Sequence, residues 1–169
     1  MLTPPPGPAR CGDAPAIVRA DPQSPEARAC LAAYYAELAQ RFAGGFDVAL
    51  SRDPEAAAMR PPRGAFLIAR VNAAPRGCVA LKGSGAGEGE IKRLWVSPEA
   101  RGMGLARRLM AAAEEAARAL GLVVLRLDTN SALPEAVALY RRSGWREIPR
   151  FNDDPYPDLF FEKRLDAAW

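Results

Sequence analysis

The sequence predicts an α/β (α+β) domain in which a mixed central sheet of about six to seven strands carries helices on both faces. Two observations support this class: short apolar runs typical of strands alternate with segments whose apolar residues recur at helical spacing, and two more strands follow the last helix. A chain of 169 residues fits one domain of this size. We predict a disordered leader over residues 1–14, which are rich in Pro and Gly, and one domain over residues 15–169.

The composition excludes several classes of function. The chain has no histidine, so the commonest general base and metal ligand and every Ser-His or Cys-His scheme are excluded. Its three cysteines, Cys11, Cys30 and Cys78, show no close CxxC spacing, which argues against a zinc site or a disulfide framework and favours a reducing, cytoplasmic setting. The net charge of +3 is modest, and no apolar run approaches membrane-spanning length. We therefore expect no metal, no nucleic acid and no membrane among the partners.

The first elements carry clear boundary signals. Residues 17–20 predict a short strand, after which Ser24 is a helix N-cap and Pro25 suits the first helical position. Apolar residues at helical spacing continue to the pair Gly44 and Gly45, which predicts the end of the helix. The segment 46–64 predicts a short helix and a loop.

The remaining elements alternate in a regular order. We predict six further strands and two further helices: strands at 65–71, 76–82 and 90–96, a helix at 104–120, a strand at 122–127, a helix from 134 to 144, and strands at 145–148 and 159–165. The first three of these strands indicate an antiparallel meander, because only short glycine-containing or turn-forming segments separate them. No internal repeat is visible.

A turn that contains two glycines lies between a predicted strand and a predicted helix, and its residues give the first indication of a function. The strand ends at Val96, and the small residues Gly102, Gly104 and Ala106 lie where the next helix opens. Unpaired backbone N–H groups at a helix start, helped by the helix dipole, bind anions such as phosphate. Arg101 could add charge-assisted hydrogen bonds. The two glycines could instead serve only as turn residues, since one such turn is not specific.

Two motifs that follow each other along the chain make the interpretation of this turn more specific. Arg101, Gly104 and Ala106, preceded by the run at residues 94–98, match the cofactor motif of the GNAT acetyltransferase superfamily, and residues 136–145 are similar to its Ala-x-x-Leu-Tyr-x-x-x-Gly-Phe segment. The resemblance covers about residues 65–165, and residues 90–96, 127–129 and 160–163 look like a bacterial subgroup of uncertain substrate. One departure is Leu133, where the family often has Asn; Asn130 lies nearby and could substitute.

The resemblance implies a GNAT fold and an enzyme that transfers an acetyl group directly from acetyl-CoA to an amine. The implied proton donor to the CoA sulfur is Tyr140, and a main-chain N–H near Trp95 or Val96 would stabilise the oxyanion. A core aromatic with a satisfied hydroxyl is the alternative for Tyr140. The residues that we assign to the cofactor are Leu94, Trp95, Val96, Arg101, Gly102, Met103, Gly104, Leu105, Ala106, Arg107, Asn130, Ala136 and Tyr140.

The general base is the least determined residue. Glu90 is our first candidate, because it begins the central strand and, by a period of two, shares a face with Lys92 and Val96. The alternative is a solvated carboxylate paired with Lys92. Asp128 is expected to be a turn-forming or solvated residue rather than a catalyst.

The acceptor pocket is predicted from regions that form it in the GNAT superfamily. We assign to it Tyr34, Tyr35, Phe46, Phe151 and Tyr156, although aromatic residues at such spacing are often simply core.

The predicted function is that of an N-acetyltransferase acting on a primary amine of a small molecule or peptide, as a monomer or homodimer. The alternative is a non-catalytic acyl-CoA-binding module on the same fold. A Rossmann-type nucleotide binder is disfavoured, because Arg107 stands where the third glycine of its motif should be.

Overall fold

The computed structural model describes residues 14–166, so the predicted leader, except Ala14, lies outside the described residues. Within them, seven strands and three helices follow the predicted order. The strands are β1 (Ala16–Ala20), β2 (Gly64–Val71), β3 (Ala74–Gly83), β4 (Glu88–Val96), β5 (Val124–Thr129), β6 (Arg146–Glu147) and β7 (Leu159–Arg164), and the helices are α1 (Pro25–Arg41), α2 (Leu105–Ala119) and α3 (Pro134–Arg142). Two single 3₁₀ turns lie at Val48–Leu50 and Pro98–Ala100.

The strands form a single mixed sheet with the order β1-β2-β3-β4-β5-β7-β6. Strands β2 to β4 are an antiparallel meander, as predicted; β1 extends it by pairing antiparallel with β2, and β7 returns antiparallel to β5. Only β4 and β5 run parallel, because α2 forms the crossover between them. The predicted α/β class with a sheet of six to seven strands is thus confirmed.

Helices cover both faces of this sheet. On one face, which we name the α1 face, Leu31 and Leu38 pack with Phe66 and Ile68 of β2. The opposite, α2 face holds the larger core, where α2 and part of α3 pack on alternate residues of the same strands. Because strand side chains alternate in direction, nearly continuous apolar strands such as β2 are buried on both faces.

The helix ends follow the chemistry of their residues. The Ser24 hydroxyl accepts a hydrogen bond from the N–H of Ala27 at 3.3 Å, and Pro25 begins α1, as the sequence predicts. Helix α1 ends at Arg41, three residues before Gly44, because Phe42 leaves the helical conformation. Glycines stop α2 and α3 at Gly121 and Gly144, both with positive φ.

A β-bulge interrupts β4. Cys78 faces Trp95 and Ala80 faces Lys92, so β4 has one more residue than β3 between these pairs. Arg93 takes up the extra residue with a φ of 60°, an unusual value for a residue other than glycine. The bulge bends β4 where it faces α1.

The bulge makes one sequence prediction wrong. Glu90, Lys92 and Val96 were expected on one face, but Lys92 faces Ala80 on the α1 face. Leu94 and Val96 instead pack on the α2 face, because the extra residue inverts the alternation of side chains after Lys92.

Strands β4 and β5 also separate along their length. Their parallel pairing covers only Glu88–Glu90 of β4 and Val124–Arg126 of β5. From Ile91 onward β4 has no pairing with β5, and a gap opens in the middle of the sheet between α1 and α3. The functional site lies at this gap.

Candidate functional site

A cleft of about 790 Å³ lies at the opening between β4 and β5. Its walls come from α1, the end of β4, the turn before α2, and α3. The residues that line it are Tyr34, Glu37, Leu38, Arg41, Leu94, Trp95, Val96, Ala100, Arg101, Gly102, Gly104, Leu105, Ala106, Arg107, Leu133, Glu135, Ala136, Leu139, Arg142 and Ser143. A cleft of this size can accommodate a large cofactor.

The start of α2 presents unpaired donors to the cleft. The first backbone bond of the helix runs from Arg108 N–H to the Gly104 carbonyl at 3.1 Å, so the N–H groups of the first turn have no acceptor within the helix. Gly104 is the N-cap with a φ of 74° and supplies no side-chain cap. Gly102 also has a positive φ, and a Cβ at either glycine would meet nothing within 4 Å. This open turn is suited to anions.

The charge of the cleft is positive on balance. Four arginines and two glutamates line it. Arg101 pairs with Glu37, and Arg41 pairs with Glu135, through Nη2 at 2.9 Å from Oε2 and a second, shorter contact. The other two arginines of the lining are Arg107 and Arg142.

Arg107 and Arg142 are the arginines of the cleft without an ion pair to any residue from 14 to 166. Arg107 lies in the first turn of α2, and Arg142 ends α3. Both side chains are exposed. Because arginine forms fork-shaped, charge-assisted hydrogen bonds with phosphate oxygens, these two residues are the natural phosphate ligands of the cleft.

A smaller cavity of about 90 Å³ adjoins the cleft on the α1 face. The two share five wall residues: Tyr34, Leu38, Leu94, Leu133 and Ala136. A molecule in the small cavity therefore lies next to a molecule in the cleft. This contact is the geometric requirement for direct transfer of a group between them.

One wall of the small cavity is aromatic. Phe46 stacks on Tyr35 with ring centroids 5.6 Å apart and lies 4.5 Å from the ring of Tyr156. Phe42 completes the cluster at 6.0 Å from Phe46. The Tyr156 hydroxyl accepts a hydrogen bond from the Asp47 N–H at 2.7 Å, which fixes the loop that follows α1. The wall is thus preformed and apolar.

The opposite wall carries a chain of charges. Lys92 Nζ lies 3.3 Å from Asp128 Oδ2 and 3.1 Å from Glu90 Oε2. Asn152 Nδ2 donates to the same Asp128 oxygen at 2.6 Å. The Asp128 side chain is 12% exposed and lines the cavity, whereas Glu90 is 36% exposed and lines neither cavity. The structure therefore brings Asp128 to the site and leaves Glu90 one ion pair away.

Two phenols lie where the cavities meet. Tyr140 lines the small cavity and Tyr34 lines both. Burial raises the pKa of Tyr140 well above its usual value, with smaller contributions from Tyr34 and Asp128. Burial likewise raises the pKa of Tyr34, while Arg93 opposes the increase. Both phenols thus stay protonated at physiological pH and can donate hydrogen bonds.

Most residues assigned to the cofactor line the cleft, but three do not. Met103 is 47% exposed and lies outside it. Asn130 and Tyr140 line the small cavity instead. The Asn130 amide is already engaged, because Nδ2 donates to the Tyr156 carbonyl at 2.7 Å and Oδ1 accepts from the Ala132 N–H at 2.8 Å.

Four of the five residues assigned to the acceptor pocket line the small cavity: Tyr34, Tyr35, Phe46 and Tyr156. Phe151 does not line it. Its half-buried ring packs edge-on against Phe160, with the ring centroids 5.4 Å apart.

Sequence reasoning missed the residues that depend on contacts between distant elements. Arg93 lines the small cavity because of the bulge, which no sequence pattern signals. Glu37 and Arg41 are four residues apart on α1, a spacing that suggests one pair on the helix surface, yet each pairs across the cleft. Asp128 was dismissed as a strand-end residue.

Residues 14–166 contain neither a candidate metal site nor a helix that could cross a membrane. No group of three or more acidic or cysteine side chains there could hold a metal ion. No helix in this part of the chain is long and apolar enough to cross a membrane.

The chain is similar to known acetyltransferases. Residues 31–145 match the model of the GNAT acetyltransferase family. An "IAA acetyltransferase" of Azospirillum brasilense is 42% identical over 59% of this chain and 67% of its own length, and an N-acetyltransferase of Schizosaccharomyces pombe is 35% identical over 60% and 63%. The chain therefore spans about two thirds of these relatives.

Solved structures show the same architecture. A candidate acyl-CoA N-acyltransferase of Klebsiella pneumoniae superposes with a TM-score of 0.73 at 31% identity, covering 89% of this chain and 97% of that one. The segment that matches the family model, residues 31–145, includes most of α1, strands β2 to β5, the glycine turn before α2, and α3, and so contains the elements that form the cleft. The chain belongs to the GNAT family of acetyltransferases.

Proposed function

We propose that this protein transfers the acetyl group of acetyl-CoA to a primary amine of a small molecule or peptide. The observation that carries the proposal is the wall shared by the cationic cleft and the small cavity, which is lined by aromatic residues and by Asp128. A phosphorylated cofactor and an amine can lie in contact there, with ionisable groups at their junction. The names of the relatives, which are acetyltransferases, support the same chemistry.

The cleft fits the phosphates of CoA. The open N–H groups at the start of α2 and the side chains of Arg107 and Arg142 would hold them. Arg101 would join them if it leaves Glu37. Acetyl-CoA, when bound, supplies a thioester whose carbonyl carbon accepts the amine and whose sulfur leaves.

The unpaired edge of β4 is suited to orient the thioester. Beyond Glu90 this edge has no strand partner, so the backbone there can donate to a ligand. We assign to an N–H near Trp95 or Val96 the stabilisation of the negative charge that develops on the carbonyl oxygen. A backbone donor fixed in the sheet needs little reorganisation.

The small cavity supplies the proton transfers. The amine must be neutral when its lone pair forms the new C–N bond, and we propose that Asp128, directly or through a water, takes its proton. As the C–S bond breaks, the sulfur keeps the electron pair, and Tyr140 donates a proton to it. Glu90, the base that the sequence suggested, would act through Lys92 by orienting Asp128.

The direct test is release of free CoA from acetyl-CoA in the presence of a panel of primary amines. We expect amine-dependent thiol release and an acetylated product. The mass of the product should exceed that of the amine by about 42 Da, because an acetyl group replaces one hydrogen. A parallel measurement by calorimetry reports binding of CoA. Binding without turnover of any amine would overturn the enzyme proposal in favour of the non-catalytic acyl-CoA-binding module.

A further inference from the structure

Arg93 is a buried cation without a buried anion. Its residue is 8% exposed, and it makes no ion pair with any residue in the described range 14–166. Its hydrogen bonds all come from Nη2, which donates to the carbonyls of Arg52 at 2.9 Å and Asp53 at 3.0 Å and to the Ser51 hydroxyl at 3.4 Å. Carbonyl dipoles compensate a buried charge only in part.

One donor of the guanidinium is buried without a hydrogen-bond acceptor. Nε is buried and has no partner, although a guanidinium offers five donors and buried donors are usually satisfied. The group lies over the ring of Tyr35, 5.7 Å from its centroid, and lines the small cavity. An anionic group in that cavity would supply the missing charge.

The other charged side chains of the cavity wall carry the opposite charge on balance. They are Lys92, Asp128 and Asp154, whose formal charges sum to −1. They include Asp128, the residue that we propose to accept the proton of the amine. The cavity therefore combines an excess negative charge with the excess positive charge of Arg93.

We infer that the acceptor is an amino acid with a free carboxylate, bound through that carboxylate to Arg93 while its amino group lies toward Asp128. This inference rests on the proposed function. It narrows the acceptor from primary amines in general to amino acids. The aromatic wall of Phe46, Tyr35 and Tyr156 would contact an apolar side chain of the acceptor. The α-amine of a peptide chain lacks the adjacent carboxylate and is a poor fit.

The wild-type protein provides the first test. Rates with acetyl-CoA are compared across the common L-amino acids and the carboxamide of each, so that every pair differs only in the anionic group. We expect the best amino acid to exceed its carboxamide in kcat/KM by about 10- to 100-fold, as for loss of one hydrogen bond to a charged group. The inference would be overturned if the carboxamides react as fast as the corresponding acids.

Substitutions of Arg93 separate recognition from a structural role. Arg93→Gln removes the charge and shortens the side chain, so the ratio between acid and carboxamide should fall toward one, whereas Arg93→Lys, which keeps a positive charge, should keep part of it. A purely structural role would lower both rates equally and leave the ratio unchanged. Arg52→Gln, a charge-matched change in a 74% exposed side chain, should leave the ratio as in wild type.

Binding of the product distinguishes failure of this inference from failure of the proposed function. Calorimetry compares the N-acetyl form of the best-binding amino acid with its carboxamide in the presence of CoA. If amines are acetylated without preference for a carboxylate, the inference about amino acids is wrong but the proposed acetyltransferase function stands. If the acid binds in an Arg93-dependent way and no amine is acetylated, the carboxylate site stands but the proposed acetyltransferase function is wrong.

Discussion

At the scale of single residues, Tyr140 is the clearest test of the chemistry. Its buried phenol remains protonated, and no residue from 14 to 166 accepts a hydrogen bond from its hydroxyl, so the proton is available to a ligand. Tyr140→Phe should lower kcat about 100-fold or more, the usual contribution of a positioned acid, and leave the Kd of CoA unchanged by calorimetry. Tyr34→Phe is the matched comparison. A larger loss of kcat at Tyr34 than at Tyr140 would reassign the proton donor.

The two carboxylates that hold Lys92 provide a second test. Asp128 lines the cavity and Glu90 does not, so Asp128→Asn should reduce kcat about 100-fold or more, while Glu90→Gln should cost less than about tenfold. The substituted amides keep the size of each side chain, which limits the structural disturbance. Stopped assays of thiol release at saturating acetyl-CoA measure both. The opposite order of effects would restore Glu90 as the base.

The buried phenols also predict how stability depends on pH. Burial raises the pKa of Tyr34 and Tyr140 above the unfolded value of about 10, so the folded state holds these protons more tightly. Their stabilising contribution is complete below pH 10 and is lost as the pH rises toward the folded pKa. Urea unfolding should show a free energy that falls above about pH 10. In Tyr140→Phe the fall should be shallower, and an unchanged slope would contradict this account.

At the scale of elements, α1 controls access to the phosphate site. Glu37 holds Arg101, the residue expected to bind pyrophosphate, so a bound phosphate must compete with a carboxylate. Glu37→Gln removes this competition and one negative charge, and we expect CoA to bind about threefold more tightly, in line with the strength of an exposed ion pair. Calorimetry with CoA measures the effect.

A charge-matched control makes this test specific. Glu115 is exposed on α2 and lines neither cavity, so Glu115→Gln changes the net charge equally. Its effect on the Kd of CoA should be smaller than that of Glu37→Gln, because surface charges beyond about 10 Å are screened by salt. Equal effects would show that α1 contributes only long-range charge.

The order of elements was predictable because each has a local cause. Ser24 and Pro25 define the start of α1, glycines end α2 and α3, and a glycine-containing turn precedes α2. The bulge at Arg93 was not predictable, since the residue is neither Gly nor Asn and its positive φ arises from the pairing of β4 with β3. Because of that single extra residue, the prediction that Glu90, Lys92 and Val96 share one face of the sheet was wrong.

The site was predictable only in part for the same reason. About half of the residues that line the cleft lie on one contiguous segment, from Leu94 to Arg107, which carries the motif, and α1 and α3 supply most of the others. The acceptor half of the site combines α1, β4, β5 and the loop before β7, so its members meet only in three dimensions. Arg93 is therefore absent from the predicted site residues, and Asp128, which lines the small cavity, was expected to be a turn-forming or solvated residue; Phe151, predicted for the acceptor pocket, does not line that cavity.

At the scale of the whole molecule, the two adjoining cavities predict the kinetic order of the reaction. The shared wall allows amine and thioester to be bound together, and neither Cys30 nor Cys78, both buried, lines either cavity to carry the acetyl group. Direct transfer then requires a ternary complex. Initial rates measured at several fixed acetyl-CoA concentrations should give intersecting double-reciprocal lines.

Parallel lines would instead indicate a covalent acetyl-enzyme, the ping-pong pattern of nucleophilic catalysis. Mass spectrometry of the protein incubated with acetyl-CoA alone provides the independent check. Because the geometry requires no acyl carrier, we expect no mass increase that turns over when amine is added. A transient acetyl adduct that disappears on addition of amine would contradict the two-cavity mechanism, even if the protein proved to be an active acetyltransferase.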